Sequence, residues 1–196
     1  MTDVRHPIPE LMRENDVIDL LVHQHSIIRD MFDEVAEAPD DGREAAFRRL
    51  VRMLAVHETA EEEIVHPYAR RKLDGGSAVV ADRLAEERAA KRLLAMMDRD
   101  GPRHPDFLAN LDELRIAVLT HARAEERYEF PRLRARTSMM ERRAMALGLR
   151  AAEAMAPTRP RPGVESATRN LLLGPPAAIM DRARDLIMTA VGRKKG

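Results

Sequence analysis

The chain has 196 residues and no cysteine, and its 33 basic (Lys and Arg) side chains are balanced by 33 acidic ones. This length fits one domain with room for an appended segment. The lack of cysteine excludes disulfides and thiolate metal sites, and the formal net charge of zero gives no overall attraction to nucleic acid. The first residues lack the basic and apolar regions of a signal peptide, and no apolar run approaches the roughly 20 residues of a membrane span. We therefore expect a cytoplasmic protein without nucleic-acid or membrane contact.

The composition and the apolar periodicity predict an all-α fold. Good helix formers dominate, and aromatic residues make up only 3% of the chain. Apolar residues spaced by threes and fours predict four long helices at about residues 15–38, 43–73, 78–98 and 106–135. Because the connections are short, successive helices should be antiparallel. The sequence therefore predicts an up-down-up-down four-helix bundle over residues 15–136.

Three further segments flank the predicted bundle. Residues 1–14 are expected to be a Pro-containing leader. Residues 137–155 predict an additional helix, in which Ser138 and Glu141 have the spacing of a capping box. Residues 156–196 predict a Pro-rich linker followed by a C-terminal amphipathic helix. We expect this last helix to dock on the bundle or on a second copy of the chain, which would give a homodimer.

One motif occurs in both the second and the fourth predicted helix. His57 and Glu61, like His121 and Glu125, are four residues apart in an H-x-x-x-E-E sequence, with a proline six residues after the first glutamate. Residues four apart lie on the same helix face. In both helices this pair continues the stripe of apolar residues that should be buried. Burying carboxylates without partners costs several kcal/mol, so the pattern predicts a bound cation.

The first and third helices supply two further candidate ligands. His25 continues the buried stripe of the first helix, whereas His23 lies on the opposite side and should face solvent. The third helix contains no histidine, and Glu87 falls near the middle of its apolar arc. Glu87 is therefore a candidate ligand. The alternative is a carboxylate at the core edge, paired with Lys91 four residues later.

Other ionisable residues receive weaker assignments. Tyr68 and Tyr128 are predicted on the metal-facing stripes, where either could ligate the cation or contact a small molecule bound to it. Glu58 is expected to lie at the surface rather than to bind the metal. Three histidines lie beside prolines at predicted chain ends or turns and receive no metal role: His6, His66 and His104.

Residues 16–131 resemble the hemerythrin HHE cation-binding family. The resemblance rests on D-V-I-D-L-L-V-H-Q-H-x-x-I, which starts at Asp16, and on the two H-x-x-x-E-E segments that end in proline. The third helix of the family usually carries E-H-x-x-x-K-x-L-L. Here Glu87 stands where the family has its histidine, so the resemblance and the helix-face argument select the same residue.

The resemblance implies two non-haem irons joined by an oxo or hydroxo bridge, with Glu61 and Glu125 as bridging carboxylates. It implies three terminal ligands: His25, His57 and His121. Oxygen-carrying members use five histidines, and carboxylate ligands favour the ferric state. Oxygen or peroxide is then the expected small-molecule ligand. Catalase-like peroxide consumption or ferrous oxidation is favoured over oxygen carriage. The alternatives are a non-enzymatic iron or oxygen sensor and a structural bundle with adventitious metal.

Overall fold

The computed structural model describes residues 15–155, which form helices and short connections without any strand. The all-α prediction is confirmed for this part of the chain. The predictions for residues 1–14 and 156–196, including the C-terminal amphipathic helix, lie outside the described residues. The segments in chain order are α1 (Val17–Glu37), α2 (Asp40–Ala60), π1 (Glu61–Val65), α3 (His66–Lys72), α4 (Gly76–Asp100), α5 (Phe107–Ala124), π2 (Glu125–Glu129), α6 (Phe130–Arg136) and α7 (Met139–Met155).

The predicted helix limits agree with the structure to within three residues. The largest difference is at α2, which begins at Asp40 rather than at residue 43. Its first turn carries Asp40 and Asp41, whose carboxylates interact favourably with the positive end of the helix dipole. Arg43 also donates a hydrogen bond to Asp40 Oδ1 at 2.6 Å. The Asp-Asp-Gly run therefore starts a helix instead of forming a loop.

Side-chain caps fix the beginnings of α1 and α7. Asp16 accepts a hydrogen bond from the Ile18 amide at 3.0 Å. At α7, the Ser138 amide donates to Glu141 Oε2 at 2.8 Å, and the Glu141 amide donates to Ser138 Oγ at 3.2 Å. These reciprocal bonds form the predicted capping box, which satisfies two amides that would otherwise lack helical partners.

Each motif-bearing helix contains a π-helical turn that begins at the first glutamate of its motif. The His66 amide donates to the Glu61 carbonyl, and the Phe130 amide donates to the Glu125 carbonyl, each reaching back five residues. A proline follows at the second position of both α3 and α6. Because proline lacks an N–H and its ring clashes with the carbonyl four residues earlier, the wider π turn lets the helix continue past it.

The π turns shift the buried face by one residue beyond each glutamate. A regular α-helical period predicts Tyr68 and Tyr128 on the inner face. The structure instead buries Ala69 and Glu129, leaves Tyr68 half-buried, and exposes 61% of Tyr128. The prediction that Tyr128 lies on the metal-facing stripe is therefore wrong, because each π turn inserts one extra residue into the helical period.

Two apolar clusters fill the interior and leave a layer of ionisable residues between them. The largest fully buried members of the first are Leu21, Ile64, Phe130, Leu133 and Met145. Those of the second are Ile28, Phe32, Phe47, Leu50, Leu54, Met97 and Leu114. In α1, His25 lies between Leu21 of one cluster and Ile28 of the other. The site is therefore enclosed by apolar packing at both ends.

The long helices contact one another in a ring around this layer. α1 packs against α2 and α5, and α4 packs against α3 and α5. α7 covers α1, α2 and π1 at the end occupied by the first cluster. Within residues 15–155, no helix combines the length and the apolar character that a membrane crossing requires.

Candidate metal centre

Two buried glutamates lie at the middle of the ionisable layer. Glu61 and Glu125 are 0% and 1% exposed, and each opens a π turn. Glu61 Oε1 lies 3.6 Å from His57 Nε2, and Glu61 Oε2 lies 3.9 Å from His121 Nε2. Glu125 Oε1 lies 3.4 Å from His121 Nε2, and Glu125 Oε2 lies 3.5 Å from His25 Nε2. Each carboxylate thus faces two different imidazoles with its two oxygens.

All three imidazoles are oriented by a bond at the other ring nitrogen. His57 Nδ1 is 2.7 Å from Gln24 Oε1, a carbonyl oxygen that accepts its proton. A carboxylate accepts from each of the other two rings: Glu126 Oε1 from His25 Nδ1 at 2.7 Å, and Glu86 Oε2 from His121 Nδ1 at 2.9 Å. These bonds place a proton on Nδ1 of each ring, so that Nε2 becomes the electron-pair donor when a metal ion binds. Metal-ligating histidines usually have such partners.

The inward-facing atoms lack hydrogen-bond partners, which shows that the residues fit a cation. Among the described residues, the buried atoms without a partner include both oxygens of Glu61, Oε2 of Glu125, and Nε2 of His25 and His121. Two three-residue groups place their ligand atoms within 4.8 Å of one another: His25, His57 and Glu61, and Glu61, His121 and Glu125. Buried polar groups normally have hydrogen-bond partners, so these converging atoms without partners fit a bound cation.

The electrostatics of the site agree with this arrangement. Burial lowers the pKa of His121, but the nearby carboxylates of Glu125 and Glu61 outweigh this effect and raise that pKa to about 12. Burial raises the pKa of Glu125, but His121 and His25 hold it well below its usual range. Burial lowers the pKa of His57 despite the nearby charge of Glu61. His57 is therefore a neutral donor at pH 7, while the proton on His121 supplies positive charge that a metal ion could replace.

Glu87 is also buried, but it does not belong to either three-residue group of candidate metal ligands. Its Oε1 is 2.8 Å from His66 Nε2, and its Oε2 has no hydrogen-bond partner. Lys91 Nζ, four residues later, is 3.8 Å from Oε2, which is the pairing considered as the alternative to metal binding. The structure therefore places Glu87 beside the candidate centre, with one oxygen that has no hydrogen-bond partner.

His66 and Glu58 occupy positions that the sequence did not indicate. His66 was expected at a turn beside a proline, but it is buried, because the π turn carries the helix through that proline. Glu58 was expected at the surface, but it is buried and forms an ion pair with Lys91 at 3.3 Å. Burial raises the pKa of Glu58 to about 8, although Lys91 opposes this shift. His23 is exposed as predicted.

A small cavity adjoins the three imidazoles. Its volume is about 20 Å³, and it is lined by all three histidines, by Glu58, Glu86 and Glu87, and by apolar side chains from α1, α2, α4 and α5. A space of this size holds about one water molecule. It can therefore admit a ligand of one or two heavy atoms beside the candidate ligands.

Known proteins resemble this chain over the same region. The family model of the "Hemerythrin HHE cation binding domain" matches residues 16–133. A protein named DNA nickase from Nostoc sp. (strain PCC 7120) is 25% identical over 142 residues, which cover 72% of this chain and 40% of that relative. The chain thus spans less than half the length of this relative. No solved structure gives a significant match.

Proposed function

Because the chain belongs to the hemerythrin HHE cation-binding domain family, we propose that it is a non-haem di-iron protein that reacts with peroxide or oxygen. The observation that carries this proposal is the convergence of unpartnered imidazole nitrogens and carboxylate oxygens on two adjacent points. The ring of helix contacts supports the expected up-down-up-down four-helix bundle as the frame of the site.

The proposed ligands divide into two sets that share the two glutamates. His25 Nε2, His57 Nε2, Glu61 Oε1 and Glu125 Oε2 would hold the first ion. His121 Nε2, Glu61 Oε2 and Glu125 Oε1 would hold the second ion. We propose Glu87 as a further ligand of the second ion, through a rotation that brings its free Oε2 inward. Two bound irons, each changing by one electron, would together supply two-electron redox chemistry toward a small oxygen species.

The protein's own groups orient these ligands and limit access to them. Gln24, Glu86 and Glu126 fix the three imidazole rings through Nδ1. The apolar clusters on both sides exclude bulk water, and the cavity of about 20 Å³ leaves room only for a small ligand. Three histidines and a surplus of carboxylates favour peroxide consumption or ferrous oxidation over reversible oxygen carriage.

The name of the Nostoc relative raises DNA cleavage as another activity. A dinuclear metal site can hydrolyse phosphodiesters when the phosphate bridges the two ions. Here the ligands are buried between two apolar clusters, and a cavity of about 20 Å³ is too small for a DNA backbone. We therefore do not extend that activity to this chain. Nicking of supercoiled plasmid by the iron-loaded protein would overturn this conclusion.

A non-enzymatic iron or oxygen sensor is the second candidate function. The same buried ligands that permit redox chemistry would couple metal occupancy to the packing of π1, on which α7 rests. A sensor would bind iron and change its helix packing without turning over peroxide. Hydrogen exchange of α7 with and without iron would test this coupling.

Metal analysis separates these functions. Anaerobically loaded and then oxidised protein should contain two irons per chain, with anomalous peaks at the Fe edge beside Glu61 and Glu125. Added peroxide should be consumed with evolution of oxygen. Absence of bound iron would refute the enzymatic and sensing proposals together. Bound iron without peroxide consumption or ferrous oxidation would leave sensing as the supported function.

A further inference from the structure

The candidate centre has an internal two-fold relation between its two halves. His57 and His121 occupy matching places in the repeated motif, and Gln24 and Glu86 accept their respective Nδ1 protons. The residue after Gln24 is His25. The residue after Glu86 is Glu87. Since α1 and α4 provide equivalent bonds to equivalent histidines, Glu87 is the structural counterpart of His25.

The neighbours of these two residues follow the same relation. His25 bonds to Glu126, the residue after Glu125, while Lys91 forms ion pairs with both Glu87 and Glu62, the residue after Glu61. The ring of Phe130, five residues after Glu125, stacks on His25 with centroids 5.9 Å apart. The ring of His66, five residues after Glu61, bonds to Glu87 instead. The match therefore extends beyond the motif.

The two halves differ in chemistry, however. On the His25 side, the neighbouring residues are apolar. Leu21 and Ile28 flank His25 on α1, Val65 ends π1 and Phe130 begins α6. On the Glu87 side, the matching positions carry Arg83, Ala90, Glu129 and His66, and Glu58 and Lys91 lie close by. One half offers two imidazoles in an apolar setting. The other offers one imidazole and an extra carboxylate among charged groups.

We propose that the two ion positions differ in metal preference, with a higher manganese-to-iron ratio at His121 and Glu87 than at His25 and His57 when both divalent ions are offered. Imidazole donors suit iron, whereas carboxylate donors suit the harder Mn²⁺ ion. The shared glutamates present the same donors to both ions, so the difference comes from the unshared ligands. This inference rests on the proposed dinuclear centre and concerns only the relative metal preference of its two positions.

Anomalous scattering tests the assignment directly. The full chain is crystallised anaerobically with equal concentrations of Fe²⁺ and Mn²⁺, and data are collected above the Fe edge and between the Mn and Fe edges. The Mn-to-Fe ratio should be several-fold higher at the His121 position than at the His25 position. Equal ratios would overturn this inference while leaving the dinuclear proposal intact. Absence of metal from both positions would overturn both.

Variants of Glu87 supply the second measurement. Glu87→His should make the two ratios equal, because both positions would then have two imidazoles. The control Asp82→His places a histidine at an exposed position of the same helix and should leave the ratios unchanged. Glu87→Gln keeps the side-chain size and should weaken Mn²⁺ binding at the His121 position by about tenfold or more. Unchanged Mn²⁺ affinity in Glu87→Gln would remove Glu87 from the ligand set and overturn the inference.

Discussion

At the scale of single residues, the two bridging candidates combine burial with a lack of partners. Glu61 and Glu125 are almost fully buried, and three of their four oxygens have no hydrogen-bond partner. A native protein seldom retains such groups without a functional reason. The cost of burying them without metal is offset when a cation binds. Metal affinity and folding stability should therefore be strongly coupled in this chain.

Replacing either bridging candidate by its amide should break this coupling. Glu61→Gln or Glu125→Gln keeps the side-chain size but removes a charged ligand shared by both ions. A ligand present at 100 times its Kd stabilises the folded state by about 2.7 kcal/mol. We expect the metal-induced rise in Tm to be lost, as measured by thermal unfolding with and without Fe²⁺ under anaerobic conditions. Glu113→Gln, on the exposed face of α5, should retain the full rise. An unchanged metal content in Glu61→Gln would contradict the bridging assignment.

Glu129 should make the metal-free protein less stable as the pH rises. This carboxyl group is 2% exposed, neither oxygen has a hydrogen-bond partner, and burial together with the charge of Glu125 raises its pKa to about 7. The folded state therefore holds this proton more tightly than the unfolded state does. The stability from this group is fully present below pH 4.5 and is lost as the pH rises to about 7. The loss amounts to about 3 kcal/mol.

Glu129→Gln isolates that contribution. Urea unfolding in the presence of a chelator at pH 5 and pH 8 should show a smaller fall in stability for the variant than for the wild type. The difference between the two chains cancels the other titrating groups, which are common to both. Equal pH dependence in both chains would show that Glu129 is ionised throughout this range.

At the scale of helices, local periodicity explains what the sequence could predict. Helix positions followed from apolar spacing, and His25, His57 and Glu61 were selected because they continue a buried stripe. The π turns have no equally clear signal in a 3.6-residue period, so Tyr128 was placed inside and Glu129 was missed. The proline six residues after each motif glutamate was the available clue.

Contacts between helices were also beyond the reach of a local pattern. Gln24 lies next to a predicted ligand, but its bond to His57 joins α1 to α2 and depends on how these helices pack. The same holds for Glu86 and Glu126, which orient histidines of other helices. The sequence could therefore predict which residues face inward, but not which acceptors orient them.

Two glycines allow the effect of helix packing on stability to be compared with the effect of helix propensity. A Cβ at Gly76 would lie 2.2 Å from the Ala69 carbonyl oxygen and 3.0 Å from Arg70 Cα, so α4 would have to move away from α3. Gly76→Ala should destabilise the protein by about 1–3 kcal/mol. A Cβ at Gly42, within α2, would meet only Pro39 side-chain atoms at 3.6 and 3.7 Å. Gly42→Ala should stabilise by about 0.5–1 kcal/mol. Chemical unfolding measures both, and equal effects would show that α4 can shift freely.

At the scale of the whole molecule, the ionisable layer divides the apolar interior into two clusters. A cation in that layer would join side chains from α1, α2, α5 and both π turns, which come from distant parts of the sequence. We therefore expect the metal to raise the cooperativity of unfolding as well as the stability. The end of the molecule beside the first cluster is covered by α7, which contacts α1, α2 and π1.

Arg142 holds that covering helix in place. Its Nε donates to Asp16 Oδ2 at 2.6 Å, and its guanidinium also donates to the Thr137 carbonyl at 2.6 Å. Arg142→Ala would leave the largely buried Asp16 without its nearest cation, at a cost of about 1–3 kcal/mol. Amides of α7 should then exchange faster with deuterium.

Metal affinity should stay within about threefold of the wild type, because mutations at well-separated sites act independently. Arg143→Ala, at the exposed neighbouring position, should change neither quantity. A large loss of metal affinity in Arg142→Ala alone would show that α7 transmits its packing to π1 and the candidate centre, which is the behaviour that a sensor requires.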